Sequence, residues 1–160
     1  MLKRTIPVIG TSLLLAAVLL GLPAEAQAQT GCTLTQGFWK NHPEAWPVEM
    51  LTVGGMPYDK GQLIGLLSTP PRGDATYILA KQLIAAQLNV LSGADSSGVA
   101  TLINEAEAWL IAVGLGSWPE GEARVVGIQM ASLLDDFNNG LSGVPHCEDG
   151  PVLPPPEPEE

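Results

Sequence analysis

The stretch DATYILAKQLIAAQLNVLSG, residues 74–93, predicts an α-helix that is apolar around most of its circumference. Asp74 can cap its first turn, and Ser92 and Gly93 are typical of a helix end. The apolar side chains lie at helical spacing and spread around the cylinder: Ile78, Leu79, Leu83, Ile84, Ala86, Leu88, Val90 and Leu91. Because so wide an apolar surface needs neighbours on several sides, this helix is expected at the centre of the fold.

Three further segments with helical periodicity flank this central helix in the sequence. They span residues 59–70, 97–114 and 117–140. Asp59 with Gln62 forms a capping-box pattern at the first segment. Ser117 with Glu120 forms another at the last, which can alternatively begin just after Gly121. Four helices joined by short loops predict a mainly α fold, a compact bundle of about four helices.

The residues before these helices follow a different pattern. Residues 32–47 are aromatic and interrupted by prolines, and they have neither helical nor strand periodicity, which predicts an irregular segment. Residues 51–58 contain Gly54 and Gly55 between two short runs, which is typical of a β-hairpin. Because Pro57 cannot donate to a strand ladder, the hairpin is expected to be small and at an edge.

The N-terminus has the pattern of a bacterial-type export signal. Residues 1–26 combine a basic start, an apolar run and small residues at Ala24 and Ala26. Cleavage is expected before Gln27 or before Gln29. The mature protein is therefore expected outside the cytosol, either secreted or in the periplasm or at the cell surface.

Without the signal, residues 27–147 form the expected helical secreted domain, and residues 148–160 a disordered, acidic, proline-rich tail. The whole chain has a net charge of −10, which excludes nucleic acid as a partner. No segment after the signal is both long and apolar enough for a membrane span, so none is expected after cleavage. The expected partner is a protein or a glycan at the cell surface. Phosphate-binding glycine loops and dinucleotide motifs are absent, and no cofactor is expected.

The chain contains two cysteines, Cys32 and Cys147. In an oxidising compartment such a pair predicts a disulfide. His42 and His146 leave open a zinc site shared with the cysteines, although zinc motifs usually contain closely spaced cysteine pairs. Because Cys32 follows Gly31 near the signal, lipid attachment is a further alternative.

Residues 32–43 are Cys-Thr-Leu-Thr-Gln-Gly-Phe-Trp-Lys-Asn-His-Pro. Four later runs accompany them: LTVGG at 51–55, PRGDA at 71–75, LIAAQLN at 83–89 and LDDFNNG at 134–140. Together with Cys147, this pattern resembles an uncharacterised domain family of exported and cell-surface bacterial proteins, marked by Cys-x-x-Thr-Gln-Gly-aromatic-Trp-Lys-Asn-His-Pro. The resemblance covers nearly all of the chain after the signal. It implies export, and it assigns no catalytic or binding role to any residue.

The candidate binding residues lie in the aromatic segment: Phe38, Trp39, Lys40, Asn41, His42 and Trp46. The favoured interpretation is that the aromatic rings pack over the end of the bundle and anchor the segment. The other is that they form a surface platform that stacks on sugars or contacts a protein, with polar contacts from Lys40 and Asn41. Burial of Trp39 and Trp46 distinguishes the two.

Candidates for catalysis or metal binding are few. Neither His42 nor His146 lies in a nucleophile motif. Glu105 and Glu107 are two residues apart on a predicted helix and point in different directions, unlike the paired carboxylates of a retaining glycosidase. A calcium contact within residues 135–139 is an alternative that no EF-hand loop supports.

These observations predict a secreted, non-catalytic binding or structural module of the cell surface or extracellular space. Two alternatives stay open. One is a small extracellular hydrolase, and the other is a carbohydrate-recognition module that uses exposed tryptophans.

Overall fold

A computed structural model describes residues 31–147, in which five α-helices and one β-hairpin follow one another. The helices are α1 (Gln36–Asn41), α2 (Lys60–Ser68), α3 (Ala75–Leu91), α4 (Ala100–Val113) and α5 (Gly121–Asn138), and the strands are β1 (Met50–Val53) and β2 (Met56–Asp59). The predicted mainly helical bundle with a small hairpin is confirmed. The predicted export signal and acidic tail lie outside the described residues.

Helix α3 is the centre of the bundle, as its sequence predicts. Eleven of its 17 residues are buried, and it packs against each of the other four helices and against β1. Its first turn is capped by Asp74, whose Oδ1 accepts a hydrogen bond from the Thr76 N–H at 2.8 Å. Among the described helices none has the length and apolarity that a membrane span requires.

The β-hairpin forms in spite of its proline. Gly54 and Gly55 have φ values of 59° and 74°, as a two-residue type I′ turn requires. The register pairs Val53 with Met56 next to the turn and Thr52 with Pro57 beyond it. Hydrogen-bonded and non-bonded pairs alternate along an antiparallel ladder, so Pro57 occupies a position whose N–H would point away from β1. The proline therefore removes no ladder bond.

The expectation of an irregular N-terminal segment was wrong for part of its length. Residues Gln36–Asn41 form α1, and Pro43–Ala45 form one turn of 3-10 helix. The Thr35 side chain caps α1 by accepting a hydrogen bond from the Phe38 N–H at 3.2 Å. Six residues are fewer than two helical turns, which is too short for apolar periodicity to show.

The beginning of α5 follows the second of its two predicted starts. The capping box of Ser117 with Glu120 does not form, because α5 begins at Gly121 and Glu120 makes no side-chain cap. Trp118 has a φ of 55°, so this residue adopts a left-handed conformation and the right-handed helix does not begin before it. The sequence pattern of Ser117 with Glu120 therefore predicted roughly where α5 begins, but not how its first turn is capped.

The two ends of the domain are joined. Cys32 and Cys147 form a disulfide with their Cα atoms 5.1 Å apart, which confirms the predicted pairing. Beside it, the Thr33 N–H donates to the Pro145 carbonyl at 2.9 Å, and the Cys147 N–H donates to the Thr33 carbonyl at 2.9 Å. A covalent bond and two main-chain hydrogen bonds thus hold the entry and the exit of the chain at one place.

Three amide side chains form a hydrogen-bonded network inside the bundle. Asn89 Nδ2 donates to Asn138 Oδ1 at 2.9 Å, and Asn138 Nδ2 donates to Gln82 Oε1 at 2.9 Å. Asn89 also pairs with the main chain of Leu34, accepting from its N–H at 2.8 Å and donating to its carbonyl at 2.9 Å. The network joins α3 to α5 and to the segment that precedes α1.

Gly140→Ala is expected to destabilise the domain by about 3 kcal/mol, and Gly143→Ala by only about 1 kcal/mol. Both glycines have positive φ, at 75° and 94°. A Cβ on Gly140 would lie 2.9 Å from the His146 Cα, whereas one on Gly143 meets no atom within 4 Å. Urea unfolding of both variants measures the difference in their free energies of unfolding. Equal losses would show that His146 moves at little cost to make room for the added methyl group.

Candidate functional site

The two tryptophans of the aromatic segment lie in the core. Trp39 is completely buried, and its indole Nε1 donates to Asn89 Oδ1 at 3.1 Å. Trp46 is also buried, and its Nε1 donates to the Trp39 carbonyl at 2.7 Å. Buried indoles need such partners, because an unpaired N–H costs free energy. These positions match the packing interpretation and leave neither ring a free face for a sugar.

The outer side of the same segment carries the other predicted binding residues. Phe38 is half-buried and stacks on His42 with ring centroids 4.5 Å apart. His42 Nδ1 lies 2.9 Å from Glu44 Oε1. Hydrogen bonds from the backbone N–H of Glu44 and then from His42 hold the pKa of the Glu44 carboxyl below its usual value. Lys40 and Asn41 are exposed, so this surface is polar and screened by water.

The second histidine lies at the other end of the chain. His146 is exposed and pairs with Thr33 in the bridge beside the disulfide. Because Cys32 and Cys147 are bonded to each other, neither offers a thiolate, and the zinc site of two cysteines and two histidines does not form. Within residues 31–147 no group of three or more His, Cys, Asp or Glu residues is placed to hold a metal ion.

Three residues of the calcium alternative, Asp135, Asn138 and Asn139, have other partners. Asp135 Oδ1 accepts a hydrogen bond from Gln82 Nε2 at 2.8 Å and another from Asn139 Nδ2 at 3.1 Å. Asn138 is completely buried in the amide network. The amide of Asn138 therefore points into the bundle, away from the surface where a calcium ion would lie.

A cavity lies where the hairpin meets α3 and α4. It is open to solvent and has a volume of about 490 Å³, and we call it the hairpin groove. Five apolar residues from these three elements line it: Leu51, Val90, Leu91, Ile103 and Ile111. Leu91 is 50% exposed and Ile111 62% exposed, so the groove presents apolar side chains to solvent. Its volume lies in the range of pockets that hold small organic ligands.

Polar groups form one wall of the hairpin groove. Gln87 Nε2 donates to the Thr52 carbonyl at 3.2 Å and to Glu107 Oε1 at 2.9 Å. The other carboxylate oxygen, Glu107 Oε2, accepts from the Gly55 N–H at 3.3 Å. Gln87 Oε1 is buried and has no hydrogen-bond partner. The wall thus ties the hairpin to both helices and keeps one acceptor unused.

The glycine turn of the hairpin packs directly on α4. A Cβ on Gly54 would lie 3.2 Å from the Leu110 Cβ, and a Cβ on Gly55 would lie 3.0 Å from the Ile111 Cγ1. Since only glycine combines this close approach with a positive φ, the turn both closes the hairpin and fixes the edge of the hairpin groove.

The predicted divergence of Glu105 and Glu107 is confirmed. Glu107 lines the hairpin groove, whereas Glu105 lines a smaller cavity of about 330 Å³ between α4 and α5. That second cavity also contains Leu133 and Phe137. The two carboxylates therefore serve different surfaces and cannot act on one substrate.

Sequence reasoning missed the hairpin groove, although α4 carries a signal for it. Ile103, Glu107 and Ile111 are spaced four residues apart and share one side of the helix. A carboxylate within an apolar stripe is unusual, because a buried charge needs a partner and an exposed one usually lies on the polar side. Such a residue marks a surface that is neither core nor ordinary exterior.

Comparison of the chain with protein-family models, with curated proteins and with solved structures found no match. The case for a function therefore depends on the site itself.

Proposed function

We propose that this protein is a non-catalytic binding module that acts outside the cytosol, and that the hairpin groove is its ligand-binding surface. The observation that carries the proposal is the combination of exposed apolar side chains with a small polar cluster in one open cavity. Ligand sites typically have this composition, in which apolar residues supply contact area and a few polar groups fix orientation.

Two apolar residues of the groove, Leu91 and Ile111, support binding because they lie outside the buried core. Leu91 ends α3 and Ile111 lies near the end of α4, and half or more of each side chain faces water. Burial of apolar surface by a ligand stabilises the complex by about 25 cal/mol for each Å². These two residues thus offer contact area that the fold itself leaves unused.

Export is supported by the disulfide and by the sequence of the N-terminus. Disulfides persist in oxidising compartments and are rare in the cytosol. The pair Cys32 and Cys147 closes the domain where its chain enters and leaves, as is useful for a module outside the cell. The hairpin groove is lined by residues of the hairpin, α3 and α4, so the disulfide leaves it open.

Binding of a neutral aromatic probe tests the proposal. Titration of the oxidised protein with 4-phenylbutan-1-ol is expected to shift the NMR signals of Leu91, Ile103 and Ile111, with an affinity in the millimolar range. Ile111→Asn is expected to weaken binding about fivefold or more, because it removes apolar contact area. Val125→Asn is the matched control, since Val125 is 52% exposed on α5 and does not line the groove. Shifts scattered over the surface, or equal losses in both variants, would overturn the proposal.

A further inference from the structure

We infer that the natural ligand of the hairpin groove is an organic cation, a primary ammonium group joined to an apolar body. This inference rests on the proposed function and specifies the chemistry of the ligand.

The charge of the groove is the first argument. Glu107 is the one charged residue among those that line it. The hydrogen-bond partners of its carboxylate, the Gln87 amide and the Gly55 N–H, are both neutral. Within the described chain the two ion pairs are His42 with Glu44 and Lys60 with Glu49. Glu107 therefore has no cationic partner among residues 31–147, and a cation is the complementary ligand.

The hydrogen-bonding capacity of the wall is the second argument. Because Gln87 Nε2 donates to two acceptors, the Thr52 carbonyl and Glu107, the orientation of the amide is fixed. Its Oε1 is buried and has no donor, so it offers the ligand no direct hydrogen bond, but its partial negative charge is not neutralised within the wall. An ammonium group has three N–H donors and no acceptor, which suits such a wall. A carboxylate or phosphate would meet a like charge there.

The size and lining of the groove determine the rest of the ligand. A cavity of about 490 Å³ with five apolar lining residues suits an aromatic or branched aliphatic body of small-molecule size. The net charge of −10 on the whole chain raises the local concentration of cations near the protein. The expected ligand therefore places its amine at Glu107 and its apolar body against Leu91, Ile103 and Ile111.

Three probes that differ only in their head group test the inference. At pH 7, 4-phenylbutylamine is expected to bind the oxidised protein about tenfold more tightly than 4-phenylbutan-1-ol, and 4-phenylbutanoate more weakly than either. The affinity of the amine is expected to fall as salt is added, whereas that of the alcohol stays constant. NMR titration measures all three affinities and shows whether each probe lies in the groove.

Glu107→Gln is expected to reduce the affinity for the amine to that for the alcohol, because it removes the charge and keeps the shape. Glu105→Gln is the matched control: it removes the same charge from the same helix but lines the other cavity. Its affinity for the amine is expected to stay within about twofold of the unmodified protein, since distant exposed charges are screened.

The possible results separate the two proposals. If the alcohol and the amine bind in the groove with equal affinity, the cation inference is overturned and the binding function stands. If no probe binds in the groove, both are overturned. Because the comparison of probes uses the unmodified protein, it decides the question even if Glu107→Gln fails to fold.

Discussion

Asn89→Leu is expected to reduce the free energy of unfolding by about 4 kcal/mol or more, although leucine has nearly the same shape as asparagine. The change leaves the Leu34 N–H, the Leu34 carbonyl and the Trp39 indole N–H without their partner. It also removes the donor to Asn138 Oδ1. Each buried group that loses its hydrogen bond costs about 1–3 kcal/mol, so even the low end of this range gives a large loss.

The position of Asn89 explains why the cost is concentrated there. Its side chain pairs with both main-chain groups of Leu34, much as a neighbouring strand would. It also supports Trp39, whose carbonyl in turn accepts from the Trp46 indole. One amide of α3 therefore holds the segment before α1 and, through Trp39, the two buried tryptophans.

Urea unfolding of the oxidised protein measures the loss, and Asn104→Leu is the matched control. Asn104 is exposed on α4, so the same chemical change is expected to alter stability by less than about 0.5 kcal/mol. The combined variant of Asn89→Leu with Asn138→Leu is expected to lose less than the sum of the two single changes, because the residues share a hydrogen bond. A loss below about 1 kcal/mol for Asn89→Leu would show that water or repacking satisfies the network.

The central helix could be predicted because every local feature of its sequence agrees. Residues 74–93 combine a capping aspartate, apolar residues at helical spacing and a terminal Ser-Gly pair, and none of them favours a strand. The hairpin was equally local, since two adjacent glycines specify its turn. The disulfide followed from the number of cysteines and the export signal rather than from any distance along the chain.

The amide network could be predicted only in part. Gln82 and Asn89 are seven residues apart in a largely apolar helix, so the sequence places both on one side of it. A polar pair on a helix that is buried on most sides must find partners within the protein. Their hydrogen-bond partners include Leu34 and Asn138. The choice of partners depends on how the segment before α1 and helix α5 pack against α3, and no local sequence pattern contains that information.

Apart from the stripe of Ile103, Glu107 and Ile111 on α4, the sequence contains no sign of the hairpin groove, because the groove forms where three distant segments meet. Its residues lie in β1, α3 and α4, between Leu51 and Ile111 in the chain. Leu91 and Ile111 are of the same residue types as core residues and lie at the same helical spacing. Only the packing of the helices leaves them exposed. For Trp39 and Trp46 the ambiguity was of the opposite kind, since large rings in a short segment fit either a core or a platform.

Removal of the disulfide is expected to cause a loss of similar size. The double variant Cys32→Ser with Cys147→Ser lacks the covalent loop that joins positions 115 apart in the sequence, and in the chain-entropy account this loop stabilises the fold by about 4–5 kcal/mol. The main-chain hydrogen bonds of Thr33 can still form. Without the covalent constraint, however, forming them requires that the two ends of the domain be brought together and ordered, which costs conformational entropy. In the double variant we therefore expect the amides of residues 33 and 147 to exchange with solvent faster than those of α3.

Reduction of the unmodified protein provides the control for this prediction. A reducing agent is expected to lower its stability to that of the double variant and to leave the double variant unchanged. Thiol labelling of the denatured, unreduced protein is expected to detect no reactive cysteine. Because Cys32 and Cys147 do not line the hairpin groove, reduced protein that is still folded is expected to bind 4-phenylbutan-1-ol with unchanged affinity. A loss of binding without unfolding would show instead that the joined ends position the groove, and unchanged stability on reduction would show that the hydrogen bonds of Thr33 alone hold them.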